Sequence, residues 1–121
     1  MNTMSAGTNI RQREIVLMPF PFTDLSSSKK RPALVLSSDG FNERSSDVIC
    51  CSITSNPARE IRTVDIANGD LESGFLEFES KIKPYHLFTV NKQRILRSLG
   101  ILKKGKFNEA VLTLHTITPK A

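Results

Sequence analysis

"REIVLMPFPFTDLSSSKKRPALVLSS", residues 13–38, holds two hydrophobic runs separated by a stretch that neither can absorb. Residues 14–20 (EIVLMPF) read as a strand rich in β-formers. Pro19 and Pro21 make PFPFTD an extended, turning segment, because a proline has no N–H to give to a central ladder. A Ser/Lys loop follows, and residues 33–37 (ALVLS) read as a short buried strand. Three cations, Lys29, Lys30 and Arg31, stand hard against Pro32 at the entry to that strand. Basic residues beside a strand commonly protect an edge. An arginine placed where the backbone becomes fixed is also suited to hold a phosphate, since its planar fork matches two phosphate oxygens.

The pattern of short strands continues outward from this stretch. Residues 48–54 (VICCSIT) predict a third strand and residues 62–66 a fourth, with SDGFNERSSD as a turn and loop between the second and third. Asn68, Gly69, Asp70 and Gly74 punctuate the chain, and residues 75–79, 81–83 and 88–90 offer further strands. Residues 91–98 allow a short helical turn. The period then changes. Phe107, Ala110, Val111, Leu114 and Ile117 fall at helical spacing and predict an amphipathic helix over residues 107–117. Many short strands with Gly and Pro turns, closed by a terminal helix, predict a mainly β fold, a small barrel. Residues 1–12 are polar and expected to be flexible, leaving a single domain over residues 13–121.

Composition narrows the function classes. The chain has 121 residues, enough for one domain that buries about two thirds of its unfolded surface. Its longest apolar run, residues 15–22, is broken by two prolines and falls far short of the roughly 20 residues of a membrane span. With no leader-like segment either, the expected location is the cytoplasm, with no membrane partner. Cys50 and Cys51 are adjacent, so in a strand they face opposite sides and a bond between them would be badly strained. Free structural thiols are expected. The net charge is +5, and the charge is segregated: residues 63–80 hold five acidic side chains and no basic one, while residues 81–106 hold eight basic and no acidic. Such separation can build the positive face of a nucleic-acid binder.

Metal chemistry has little to stand on. His86 and His115 lie 29 positions apart and lack partners at ligand spacing, so no metal and no cofactor are expected. His115 falls near the C-terminus of the predicted helix, where the dipole favours a cation. His86, in KPYHLF, is a candidate acid or base and Tyr85 a candidate stacking surface, although a surface histidine beside a half-buried tyrosine is the commoner case.

Taken together, REIVLMPFPFTDLSSSKKRPALVLSS, DVICCSITSN, ESKIKPYHLFTVNKQRIL and SLGIL resemble the PemK/MazF family of toxin endoribonucleases, from about Arg13 to about Ile117. The resemblance implies an SH3-like β-barrel with C-terminal helical additions, working as a homodimer. It implies metal-independent cleavage of single-stranded RNA and neutralisation by a cognate antitoxin. The family's catalytic arginine corresponds to Arg31 and its catalytic threonine, at the end of the third strand, to Thr54. Lys29, Lys30, Ser55, Lys81 and Lys83 are expected to bind substrate. Two departures fall in or next to the first connection: Arg13-Glu14 stands where relatives often carry Gly-Asp, and Ser26 to Ser28 lack the usual glycine. Two other functions stay open for such a barrel: a non-catalytic poison of a protein target such as DNA gyrase, and a plain RNA-binding module.

Overall fold

A computed structural model of the chain describes residues 9–19, 29–58 and 60–121. The PFPFTD turn after Pro19, the Ser/Lys loop and residues 1–8 of the expected flexible N-terminus lie outside these. Among the described residues, seven strands form one antiparallel sheet: β1 (Glu14–Pro19), β2 (Lys30–Val35), β3 (Asp47–Thr54), β4 (Val64–Ile66), β5 (Leu71–Gly74), β6 (Ser80–Asn91) and β7 (Arg97–Leu102). Helix α1 (Asp39–Arg44) sits between β2 and β3, and helix α2 (Lys104–Ile117) closes the chain. The strand order is β4-β6-β3-β2-β1-β7-β5.

The two edge strands are neighbours in sequence. Only residues 67–70, a capped 3-10 turn, join β4 to β5, so the sheet must curl until its edges come within that reach. The result is a curled half-barrel. One face of the curl encloses Ile15, Leu34, Cys51, Ile53, Ile82 and Leu102, and α2 covers it with Phe107 and Ala110. The opposite face carries a second cluster that includes Val16, Met18, Ala33, Cys50 and Val90. Alternation along β3 therefore sends Cys50 into one cluster and Cys51 into the other. Both thiols are free and buried. Burial pushes the Cys50 thiol up to about 12 and raises that of Cys51 further. Because the folded value exceeds the unfolded one, the stability that the buried neutral Cys50 thiol contributes is present below about pH 9 and is lost as pH rises towards about 12.

Several elements differ from their sequence expectation. SDGFNERSSD contains α1 rather than a plain loop: the Ser38 hydroxyl accepts the Phe41 N–H at 3.2 Å, and Asp39 sits in the first turn where the dipole favours it. The strands expected at residues 81–83 and 88–90 are one, β6. Its register against β3 jumps, with Cys51 opposite Leu87 but Ser52 opposite Lys83, so Pro84, Tyr85 and His86 form a bulge that accommodates the proline. Residues 75–79 are a loop, and the strand lies before them as β5. Within 91–98 only Lys92–Arg94 make the expected helical turn; Arg97 already belongs to β7. The described end of the N-terminal segment is tied down: Ile10 is buried, and the Gln12 N–H donates to Asp39 Oδ1 at 2.8 Å.

Gly74 and Gly100 face each other across β5 and β7. A Cβ on Gly74, whose φ is +93°, would lie 2.1 Å from the Leu99 carbonyl oxygen. Backbone cannot move aside cheaply, so Gly74→Ala is expected to lower unfolding free energy by at least about 2 kcal/mol. Gly40→Ala, in α1 with open space around its Cβ, should be neutral or stabilising by up to about 1 kcal/mol. Urea unfolding of the two variants checks the contrast; equal midpoints would contradict it.

Candidate nucleic-acid interface

β2 begins at Lys30, so Arg31 and Pro32 lie inside the strand rather than ahead of it. On the β1 side the ladder covers both, with Met18 opposite Arg31 and Leu17 opposite Pro32. On the β3 side it runs only from Val35, opposite Cys50, to Ala33, opposite Ser52. Pro32 has no N–H to continue it. Two further residues along each strand bring Arg31 level with Thr54, on the same face as Ala33 and Ser52. Beyond Ala33 and Ser52 the two strands are no longer paired, so Arg31 and Thr54 stand where the ladder ends. Thr54 is the ladder partner of Lys81, and Lys81 of Asp65. One row across four strands thus reads Arg31, Thr54, Lys81, Asp65.

Local turns hold the Thr54 end. The Thr54 hydroxyl accepts the Asn56 N–H at 3.1 Å, and Asn56 Oδ1 accepts the Ala58 N–H at 2.9 Å. The threonine caps a turn, as strand-end threonines commonly do. Its oxygen is anchored while its proton is still available to donate. Arg31 is half-buried, and its Nε is fully so.

Two adjoining hollows flank this row. A hollow of about 790 Å³ is lined by Lys29, Lys30, Arg31, Ser55, Arg97 and Phe78, among others. A second, of about 410 Å³, holds Thr54, Lys81, Lys106 and Asp65. Ser55 and Ser80 belong to both and join them. Arg31, Thr54, Lys29, Lys30, Ser55 and Lys81 are therefore gathered in one region. Lys83 is not: its ammonium lies 3.4 Å from Glu60, and it lines neither hollow. Arg97 is a cation that sequence reasoning missed, because its strand was read as a helical turn.

The charge segregation in sequence is not kept in space. Glu77 lines the first hollow, and Asp65, Asp70 and Glu79 the second, so carboxylates interleave with the cations. Lys81 Nζ lies 3.3 Å from Asp65 Oδ1. Asp65 is largely exposed, and such a surface pair is worth little and leaves the ammonium ready to exchange partners.

His86 is half-buried in the β6 bulge, its Nδ1 hydrogen-bonded to the Ser52 hydroxyl and its ring edge-on to Phe88. That places it one row from Thr54 rather than on an open surface. Tyr85 turns to another place, a groove of about 780 Å³ beside the end of α2 that Glu60, Ile61 and Ile117 also line. Its hydroxyl donates to Glu60 Oε1 at 2.7 Å. That hydrogen bond holds the Glu60 carboxyl below the usual range and raises the Tyr85 phenol, since the carboxylate favours the protonated phenol.

MazF from Deinococcus radiodurans superposes with a TM-score of 0.72 at 18% identity, over 92% of this chain and 97% of that one. A MazE–MazF structure from the same organism gives 0.73 at 18% identity, over 93% and 99%. An endoribonuclease from a mycobacterial species gives 0.72 at 17% identity, over 99% and 100%. The curled sheet with its terminal helix is therefore the MazF fold. No curated protein is significantly similar in sequence. The model of the PemK-like, MazF-like toxins of type II toxin-antitoxin systems matches residues 11–118, and the chain belongs to that family.

Tyr85 is the chain's one tyrosine, so its ionisation can be followed by ultraviolet absorbance alone. The phenol should titrate above the ordinary value near 10, and Glu60→Gln should bring it back down. An unchanged titration in that variant would contradict the Tyr85–Glu60 contact.

Proposed function

We propose that this toxin is an endoribonuclease that cuts single-stranded RNA without a metal ion, at the cleft between Arg31 and Thr54. The observation that carries the reading is the register that brings Arg31 level with Thr54, whose hydroxyl is anchored, where the β2–β3 ladder ends. RNA can be cut by its own 2′-hydroxyl. The O2′–P bond forms, the P–O5′ bond breaks, and 2′,3′-cyclic phosphate and 5′-hydroxyl ends remain. The enzyme must steady a phosphorane that carries extra negative charge. Arg31 suits this task, with two donors fixed in one plane. It suits proton removal poorly, since a guanidinium offers five N–H donors and no acceptor. Thr54 donates to a phosphate oxygen or orients the attacking hydroxyl. Lys29, Lys30, Ser55 and Lys81 bind the strand on either side.

Among the described residues, no three His, Cys, Asp or Glu side chains come together as a metal site needs. No helix among them is long and apolar enough to cross a membrane, and we place the activity in the cytoplasm, where mRNA is the substrate. The working unit is a homodimer, and a cognate antitoxin silences it by covering the cleft. A poison of a protein target such as gyrase is the alternative reading. It predicts that RNA stays intact at high protein concentration.

Incubating the protein with a long RNA in EDTA should give cleavage with the two end groups named above. Activity lost in EDTA and restored by magnesium would overturn the mechanism. Arg31→Ala should abolish cleavage with the melting temperature unchanged. Arg31→Lys should rescue only in part, because a point charge cannot make the two-pronged contact. Thr54→Ala should cost about 100- to 1,000-fold, the usual loss for one transition-state donor.

A further inference from the structure

Phe75 and Phe78 expose 66% and 61% of their surface, although both belong to a loop whose backbone is held in place. The Phe75 N–H donates to the Leu99 carbonyl at 3.0 Å. Leu76, buried at 4%, is clasped by the Asn68 amide, which accepts its N–H at 2.6 Å and donates to its carbonyl at 2.9 Å. At the far end the Ser80 hydroxyl donates to the Phe78 carbonyl at 2.9 Å. Leu76 anchors the loop while its two aromatic neighbours stand in water. Leaving two phenyl rings largely in water forgoes the gain that burying them would bring. Such exposure on a pinned loop marks a surface that meets a partner.

The neighbours of the rings say which partner. Both phenylalanines line the same hollow as Lys29, Lys30, Arg31 and Arg97. Flat apolar faces set among four cations and one carboxylate, Glu77, match a single nucleic-acid strand, whose bases stack while its phosphates seek positive charge. An apolar peptide would have to desolvate those cations without repaying them.

We propose that Phe75 and Phe78 are a stacking platform for bases of the RNA strand whose phosphate sits at Arg31, with Arg97 holding a neighbouring phosphate. The proposal rests on the endoribonuclease reading. It assigns to the β5–β6 loop a binding role separate from the cutting pair. Because the loop is fixed before RNA arrives, the bases meet a surface that needs no ordering, and less affinity is lost to entropy. Stacking is tolerant of base identity, so the platform sets affinity and register along the strand more than sequence preference.

The test measures binding of a fluorescein-labelled, 2′-O-methyl single-stranded RNA, which cannot be cut, by anisotropy at several salt concentrations. Phe75→Ala and Phe78→Ala should each weaken binding by roughly 5- to 150-fold. Their salt slope and melting temperature should match those of the unaltered protein, since no phosphate contact is lost. Phe→Trp at either position should restore binding. Arg97→Ala should instead reduce the salt slope by about one. Unchanged RNA affinity in both alanine variants, with self-association or antitoxin binding weakened, would overturn the platform and make the loop a protein interface. An unaltered protein that neither binds nor cuts RNA would overturn the endoribonuclease reading itself, a result distinguishable from failure of the platform alone.

Discussion

The missing N–H of Pro32 is the constraint on which the site depends. β2 lies between β1 and β3, and a strand in that position normally carries both ladders to its end. Here the β3 ladder stops at Ala33, opposite Ser52, while the β1 ladder continues to Lys30, opposite Pro19. The strand is therefore held from one side and released on the other at the level of Arg31 and Thr54. A cleft between sheet strands needs this arrangement, because a fully paired ladder leaves no room for a phosphate. In the proposed mechanism the backbone of Arg31 is already fixed by β1 when the phosphate arrives, so less entropy is lost on binding.

The same economy runs through the rest of the barrel. Edge strands β4 and β5 are linked by a four-residue turn, residues 67–70, in which Asp70 Oδ2 accepts the Ala67 N–H at 2.9 Å. That turn forces the curl, and the curl brings the β5–β6 loop beside the β2 entry. Arg13 ties the other end of the sheet. Its φ is +77°, a conformation that glycine adopts more easily, and its guanidinium donates to the Leu102 carbonyl at 2.7 Å and to Glu72 Oε1 at 3.0 Å. Arg13 thus accepts backbone strain and in return links the start of β1 with β5 and β7.

How much of this was legible in the sequence depended on how local the signal was. EIVLMPF and VICCSIT carry their β character in side-chain type alone, and the terminal helix shows its 3.6-residue period, so these emerged directly. β5 and β7 did not. LESG and RSLGIL are short, polar at one end and contain the glycines that let the two backbones approach, and glycine reads as punctuation. The price of losing β7 was losing Arg97. α1 was hidden because its six residues bury only Asn42, leaving the Ser38–Asp39 cap as its one local sign. Arg31 and Thr54 could be named through family resemblance, yet their alignment follows from a register that no local pattern encodes. Segregated charge misled for a related reason: strand order, not sequence order, decides which charges meet, and it sets Asp65 beside Lys81.

The central claim is that Arg31 and Thr54 act on one phosphate. A double-mutant cycle on RNA cleavage tests it most directly, comparing Arg31→Ala, Thr54→Ala and the double variant in a single-turnover assay sensitive enough to rank all three. If both side chains bind the same transition state, the double variant should be little worse than Arg31→Ala alone, because residues that act as a unit are strongly non-additive. Losses that multiply fully would show two independent contributions and contradict the account.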